Sequence, residues 1–251
     1  MFFRNSFVFS LSSDDDESSG KNYIVSAIVA LIMVPLIMWI WPEAIPLGFW
    51  DLWIPKGSVL TWLYVGLPVF IWGAVITIIN LTMVSDRVRV PRSATPGKVF
   101  VGSALVSAWA GITEEIAFRW LIFLLAVATV QFGNFLFFGF LGFGVAEWFH
   151  MNVWGPLVDW TTFGYLTKHI FSETGWYVGA AMLYSNAFFR DGYKYQGLMG
   201  VINSWFIGMF LFWVTFNYGL PAAILIHFLY DFLLMSVISP IYIMIRRPAH
   251  W

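Results

Sequence analysis

Long runs without a charged residue constrain this chain more than any other feature. Residues 23–42 and residues 57–85 carry no charge, and each run reaches the roughly 20 apolar residues that cross a hydrocarbon core. Only 11% of the residues are charged, whereas soluble domains carry about 25%. The sequence therefore predicts an all-α, polytopic transmembrane helical bundle, and the composition argues against a soluble fold.

The remaining apolar segments predict six to eight spans. The six predicted spans cover residues 23–42, 57–85, 99 to about 130, 132–149, 195 to about 217, and 220–245. Two short or re-entrant helices within 151–196 would raise the number to eight without changing the topology. Residues 1–22 predict a polar, acidic N-terminal tail, and residues 23–251 a single transmembrane domain.

Basic residues predict the orientation of the bundle. Arg87, Arg89 and Arg92 follow the second span, and Arg246 and Arg247 follow the last one. Because loops rich in arginine and lysine stay in the cytoplasm, both termini are expected there. We expect an integral protein of the plasma membrane in preference to an organellar one.

Composition also limits the chemistry. The formal net charge is −1 and no nucleic-acid motif occurs, so we expect the lipid bilayer and no nucleic acid among the partners. The chain has no cysteine, which excludes disulfides, thiolate metal sites and a cysteine nucleophile. No cofactor is predicted.

Ionisable residues inside the predicted spans are the strongest functional signal. A charge at the bilayer centre costs about 2.5–3.5 kcal/mol on insertion scales, so such residues are usually paired and functional. Glu114, Glu115 and Arg119 fall within the third span. Glu115 and Arg119 are four residues apart and share a helix face, which predicts a buried ion pair. Glu114 points about 100° away on an ideal helix and is left available.

Two further pairs share a helix face. His227 and Asp231 are four residues apart, and the aspartate can accept a proton from one imidazole nitrogen and fix the tautomer. Glu147 and His150 are three apart. These patches on three segments could converge on one site. The alternative is a structural network of ion pairs and hydrogen bonds that only fixes helix packing.

Two of these patches resemble a known family. Residues 113–119 read TEEIAFR, which resembles the EExxxR motif of the CPBP family of intramembrane proteins, including type II CAAX prenyl endopeptidases. Residues 206–231 resemble the closing motif of the same family and end in His227-x-x-x-Asp231. The resemblance covers residues 99–150 and 200–232, and it leaves residues 151–196 as an atypical insertion.

The resemblance implies a role for each residue. Glu114 would be the general base that activates water, and Arg119 would hold Glu115. His227 and Asp231 would stabilise the oxyanion. A water-activating carboxylate in an apolar site and a positioned donor beside the reacting carbonyl are physically suited to these roles.

The second family motif, FxxxH, is altered. Residues 143–147 have its spacing, but Glu147 occupies the histidine position. His150, one helical turn further on, is the candidate to replace that histidine. A carboxylate beside Glu114 would favour one shared proton and cannot act as an imidazole does.

Three functions therefore stay open. The first is an endopeptidase that cuts a membrane-embedded or lipidated peptide. The second is a catalytically degenerate family member that serves as a subunit of a membrane complex, with other subunits bound through residues 151–196. The third and weakest is a metal site built on the Glu147-x-x-His150 spacing, with Glu114 and His227 as further ligands.

Overall fold

The fold is known from a computed structural model that describes residues 14–83, 96–137, 139–141, 143–172, 175–194 and 197–246. Within these residues the chain forms helices and no strands, which confirms the predicted all-α class. The α-helices are α1 Asp14–Ile40, α2 Val59–Met83, α3 Pro96–Glu114, α4 Ile122–Leu136, α5 Val145–Phe149, α6 Gly155–Thr161, α7 Thr167–Ile170, α8 Trp176–Asp191, α9 Gly197–Tyr218 and α10 Leu220–Arg246.

Two π-helical turns interrupt this pattern. The turn Glu115–Leu121 joins α3 directly to α4, and the turn His150–Trp154 joins α5 to α6. A π-turn inserts an extra residue into the helical register and often occurs at functional sites. The first of these turns contains two of the ionisable residues that the sequence analysis selected.

Several helices have the length and composition of membrane spans. Within the described residues, the candidates are Tyr23–Ile40, Val59–Ile76, Phe100–Leu136 and Gly197–Tyr218, with Leu220–Ser236 as a shorter apolar stretch. Large apolar side chains such as Leu60 and Leu105 are exposed on the outer faces of these helices. A surface of this kind is stable against lipid. The chain therefore has the architecture of a helical membrane protein, while the number of spans stays a prediction.

The centre of the bundle lies around α4. Phe123, Leu124 and Val127 are fully buried there, against residues of α8 and α9 such as Met182 and Phe212. Lipid tails are as apolar as these side chains, so close packing, rather than exclusion from water, holds the helices together.

The predicted span at residues 132–149 is wrong as a continuous helix. Helix α4 ends at Leu136, a 3₁₀ turn covers Gly139–Leu141, and α5 begins only at Val145. Glycines at positions 139, 142 and 144 lie in this break. Each disfavours a helix by about 1 kcal/mol relative to alanine, which explains why an apolar run here does not continue the helix.

The segment 151–196 contributes to the core. Its last helix, α8, buries Val178, Ala181 and Met182 in the main apolar cluster and packs against α4 and α9. At the other end of the chain, α1 begins at Asp14, inside the stretch predicted as a polar tail. Residues 1–13 and the arginines at 87, 89 and 92 lie outside the described residues.

The turn between α9 and α10 directs the last helix towards α3. Gly219 has φ +89°, a left-handed conformation that favours glycine, and the carbonyl of Ile54 packs where a Cβ would lie. The Lys56 N–H donates to the Tyr218 carbonyl at 3.0 Å and ties the preceding loop to the same turn. From this turn α10 runs back alongside α2 and α3 and carries His227 to Glu115.

Candidate active site

The first part of the site is a sealed ion pair on the π-turn. Glu115 and Arg119 are four residues apart, their side chains are completely buried, and Arg119 Nη1 lies 3.0 Å from Glu115 Oε1. This contact is an ion pair, because the guanidinium is not aligned with the carboxylate for a regular hydrogen bond. The predicted pairing of Glu115 with Arg119 is present.

Aromatic rings surround the rest of the guanidinium. The Arg119 Cζ lies 4.0 Å from the centroid of the Phe189 ring and 5.6 Å from that of Phe212. A cation over a ring gains about 2 kcal/mol or more when it is desolvated. Among the described residues Arg119 Nε and Nη2 have no hydrogen-bond partner, so the rings and Glu115 together stabilise this charge.

His227 connects this ion pair to two further carboxylates. Its Nδ1 lies 2.7 Å from Glu115 Oε1, and the tautomer that satisfies this contact has Nδ1–H donating to the carboxylate oxygen. On the other edge of the ring, Nε2 lies 3.4 Å from Asp231 Oδ2 and 4.0 Å from Glu114 Oε2. The imidazole therefore stands between a sealed carboxylate and two others.

Glu114 and Asp231 form the accessible side of the site. Both side chains are 16% exposed, whereas those of Glu115, Arg119 and His227 are exposed by 2% or less. The group contains three carboxylates against one obligate cation and one histidine, so two carboxylates exceed what the arginine neutralises, and one does if His227 is also charged. The surplus acid lies on the more exposed side of the group.

Helix α8 supplies residues that the sequence analysis missed. Tyr193 Oη, in the turn after α8, donates to Glu114 Oε2 at 2.8 Å. Ser185 Oγ donates to the Phe118 carbonyl at 2.5 Å and anchors α8 to the π-turn. No spacing rule marks these residues, because Glu114 and Tyr193 are 79 positions apart. The available signal was the polar turn that follows the apolar stretch 176–189.

The turn after α8 is itself held by charges. Asp191 pairs with Arg190 and with Lys194, each at 2.7 Å. Partial burial raises the pKa of the Asp191 carboxyl, but hydrogen bonds and charge from Lys194 and Arg190 outweigh it, and the net effect lowers the pKa. The Asp191–Lys194 pair thus spans the turn in which Tyr193 lies.

The structure does not bring Glu147 and His150 to this site. The Glu147 residue is exposed on α5. His150 is buried elsewhere, with Nε2 2.9 Å from the Ile170 carbonyl and its ring near Phe171 and Trp176. Burial lowers the pKa of His150, partly offset by the hydrogen bond to Ile170. The FxxxH spacing at 143–147 is a local pattern that does not determine which helix packs beside Glu114.

The arrangement also bears on the metal hypothesis. No group of three histidine or acidic side chains with the geometry to hold a metal ion occurs within the described residues. The proposed ligands are divided between two places, with Glu114 and His227 at the site and His150 against the Ile170 carbonyl. Glu114 instead contacts the Tyr193 hydroxyl and lies near His227, which also contacts Asp231.

Comparison of the chain with protein-family models, with curated proteins and with solved structures found no match.

Proposed function

We propose that this chain is a glutamate-dependent intramembrane endopeptidase, similar to the CPBP family, that acts on a membrane-embedded or lipidated peptide. One observation carries the proposal. Glu114 is a partly accessible carboxylate beside a sealed Glu115–Arg119–His227 group. A network that only stabilised helix packing would need the ion pair, but not an additional acid on its open side.

The chemistry follows from the positions of the side chains. Glu114 takes a proton from a water molecule, and the oxygen of that water bonds to the carbonyl carbon of the peptide. The developing oxyanion is stabilised by the Nε2–H of His227, which faces the same space; since Nδ1–H is donated to Glu115, the ring acts here as a doubly protonated imidazolium. Glu114 then returns the proton to the amide nitrogen as the C–N bond breaks. Asp231, at 3.4 Å from Nε2, orients the ring.

Water supply is the physical requirement for this reaction within a membrane. The turn after α8 reaches a polar boundary, since the Lys194 side chain is 62% exposed and its partner Asp191 is 35% exposed. Tyr193 lies in this turn and contacts Glu114 directly. This polar connection supports access of water to the carboxylate.

The test is cleavage by the purified full chain in lipid nanodiscs. The probes are a prenylated peptide with a fluorescence donor and quencher, and a single-span transmembrane peptide. Wild-type protein is expected to cleave one of them, and Glu114→Gln to abolish cleavage because an amide cannot accept the proton from water. Glu43→Gln, at an exposed carboxyl, is the matched control and retains activity. Cleavage that survives in folded Glu114→Gln would overturn the proposal.

A second candidate function rests on a different surface. Several aromatic side chains of residues 145–165 are exposed, with Trp160 at 76% and Phe163 at 84%, and Glu147 is exposed on the same segment. A carboxylate on a lipid-facing surface is unfavourable, and a partner subunit with a basic side chain would stabilise it. This supports the role of a subunit in a membrane complex, bound partly through 151–196.

A photo-crosslinking residue at position 160 tests this candidate in native membranes. A stoichiometric protein adduct at 160, absent when the same residue replaces Leu60 on α2, is expected if the segment binds a subunit. Leu60 is exposed to the same extent, 76%, and provides a matched lipid-facing position. Adducts with lipid alone at both positions would contradict the subunit function.

The membrane and the orientation belong to the same proposal. The arginines at 87, 89, 92, 246 and 247 support an orientation with both termini in the cytoplasm, in a membrane that we propose to be the plasma membrane. Epitope tags at the two termini are expected to resist protease added outside intact cells and to be digested after permeabilisation. A tag digested in intact cells would contradict this orientation.

A further inference from the structure

We infer that Tyr193 is a positioning residue that fixes the Glu114 carboxylate for its reaction. Tyr193 lies beside Glu114, where the sequence pattern had predicted a residue of the 143–150 segment. This inference rests on the proposed function, because Tyr193 can affect cleavage only if Glu114 activates water. The contact itself, from Tyr193 Oη to Glu114 Oε2 at 2.8 Å, is independent of that function.

The hydroxyl restrains a carboxylate that otherwise has freedom to rotate. Glu114 is not part of the sealed ion pair, and His227 Nε2 reaches it only at 4.0 Å. The phenol is therefore the direct hydrogen bond that selects one of the two carboxylate oxygens. Each carboxylate oxygen has two lone pairs, and the bond from the phenol to one of those on Oε2 fixes the orientation in which the carboxylate meets water.

Among the described residues, the other polar groups near Glu114 each have a different contact of their own. Glu115 and Arg119 on the same helical stretch are engaged with each other. Asp231 and His227 on α10 form their own contact at 3.4 Å. Tyr23 on α1 lies near Glu114, but its hydroxyl is engaged with Thr113.

The turn that carries Tyr193 is built rigidly enough to hold a position. Its ring packs on Phe189, with the ring centroids 5.2 Å apart, and Phe189 in turn covers the Arg119 guanidinium. The Asp191–Lys194 ion pair spans the same turn and adds a weaker, partly exposed contact to this ring packing. A catalytic group must be held to within a fraction of an ångström, and a misplacement of 1 Å costs about 100-fold in rate.

The variant Tyr193→Phe removes the hydroxyl and keeps the ring that packs on Phe189. Tyr184→Phe makes the same chemical change on α8 at a position that is 60% exposed, and it is the matched control. In the cleavage assay Tyr193→Phe is expected to lower kcat by about 10- to 100-fold with KM unchanged, because substrate binding does not involve the hydroxyl. Tyr184→Phe keeps the wild-type kcat.

A second readout does not need cleavage. Dicyclohexylcarbodiimide, an apolar reagent that modifies carboxyl groups, is added to the full chain in nanodiscs, and modification at residue 114 is measured by mass spectrometry. The modification is expected to be several-fold faster in Tyr193→Phe than in wild type or Tyr184→Phe, because the phenol no longer covers Oε2. Subtraction of the signal in Glu114→Gln assigns it to this residue.

The two readouts separate the inference from the proposed function. Faster modification without any cleavage by wild-type protein would support the positioning contact and reject the endopeptidase. Unchanged modification in Tyr193→Phe would overturn the inference whatever the cleavage assay gives. An equal loss of kcat in Tyr193→Phe and Tyr184→Phe would also overturn it, because the loss would then be unrelated to the contact with Glu114.

Discussion

Arg119 carries a charge that is surrounded by protein on every side. Its side chain is 0% exposed, and its stabilising contacts are the Glu115 carboxylate and the rings of Phe189 and Phe212. A buried ion pair adds little net stability compared with apolar residues of the same shape, but removal of one member leaves the other charge without compensation. Glu115 also holds His227, so the loss of Arg119 affects both of these neighbours.

We therefore predict that Arg119→Met lowers the free energy of unfolding by about 3–5 kcal/mol, the usual loss when one member of a buried pair is removed. Unfolding in detergent micelles at increasing denaturant concentration measures this change. Arg190→Met is the control, because Arg190 is 30% exposed in its pair with Asp191 and such pairs contribute about 0–1 kcal/mol. Equal losses in the two variants would contradict the sealed character of the Arg119 pair.

His169 gives the chain a dependence of stability on pH. Its ring stacks on Phe216 with centroids 4.6 Å apart. Burial, followed by the charges of Lys168 and Lys56, lowers the pKa of His169 to about 4. In the unfolded chain the pKa of a histidine is about 6.5. The folded state therefore resists a proton that the unfolded state accepts, and stability that is complete above pH 6.5 decreases as the pH falls towards 4.

The variant His169→Phe isolates this effect, because it keeps a ring on Phe216 and removes the titrating nitrogen. The unfolding midpoint of the wild type is expected to fall more steeply between pH 7 and pH 4 than that of the variant. The comparison of slopes does not depend on the absolute stability of the variant. Parallel slopes across this range would show that His169 does not contribute to the pH dependence.

Two helices approach closely at the site because one of them carries a glycine. Gly111 of α3 faces the backbone of α10, and a Cβ at this position would lie 3.0 Å from Phe228 N and 3.2 Å from the Ile224 carbonyl oxygen. These atoms belong to the helical backbone and cannot rotate away. They flank His227, so the separation of α3 and α10 determines the distance from His227 to Glu115 and Glu114.

We predict that Gly111→Ala pushes the two helices apart, lowers the free energy of unfolding by about 1–3 kcal/mol, and reduces cleavage activity. Gly102→Ala is a matched control on the same helix, since a Cβ there meets nothing within 4 Å. Alanine favours a helix over glycine by about 1 kcal/mol, so the free energy of unfolding of Gly102→Ala is expected to equal or exceed that of the wild type. A stable and fully active Gly111→Ala would mean that this contact is not critical.

The sequence predicted the parts of the site that depend on local helix geometry. Glu115 with Arg119, and His227 with Asp231, are pairs four residues apart, and a helix brings such pairs together whatever the surrounding fold. The contact of Tyr193 with Glu114 depends on how α8 packs, and no local pattern encodes it.

The same distinction explains the two differences at the level of elements. Hydropathy indicated a span at 132–149, but an apolar run does not show where the backbone leaves the helix, and glycines end it after α4. The α8 helix was hidden among polar residues, although its buried face forms part of the core. In the first case local glycines determined the outcome, and in the second case tertiary packing did.

The whole molecule has an apolar exterior and polar groups at its interior site, the reverse of a soluble protein. Exposed side chains on α3, such as Leu105 and Trp109, are each 68% exposed, while Arg119 further along the same helical stretch is sealed. This inversion is stable only if lipid surrounds the helices at that level. Lys56, in the loop after α1, is also exposed, but its charge would be unfavourable in hydrocarbon. We therefore expect Lys56 to lie in water, outside the lipid-covered level.

The natural absence of cysteine makes this prediction directly measurable. A nitroxide label at Leu105→Cys in liposomes is expected to collide readily with dissolved oxygen, which concentrates in lipid, and rarely with a water-soluble nickel chelate. The label at Lys56→Cys is expected to show the opposite preference. Labels at the two positions with the same accessibility to the nickel chelate would contradict a lipid-covered α3. Glu114 lies on α3 as well. A lipid-covered α3 would therefore support the proposal that the cleavage assigned to Glu114 takes place within the membrane.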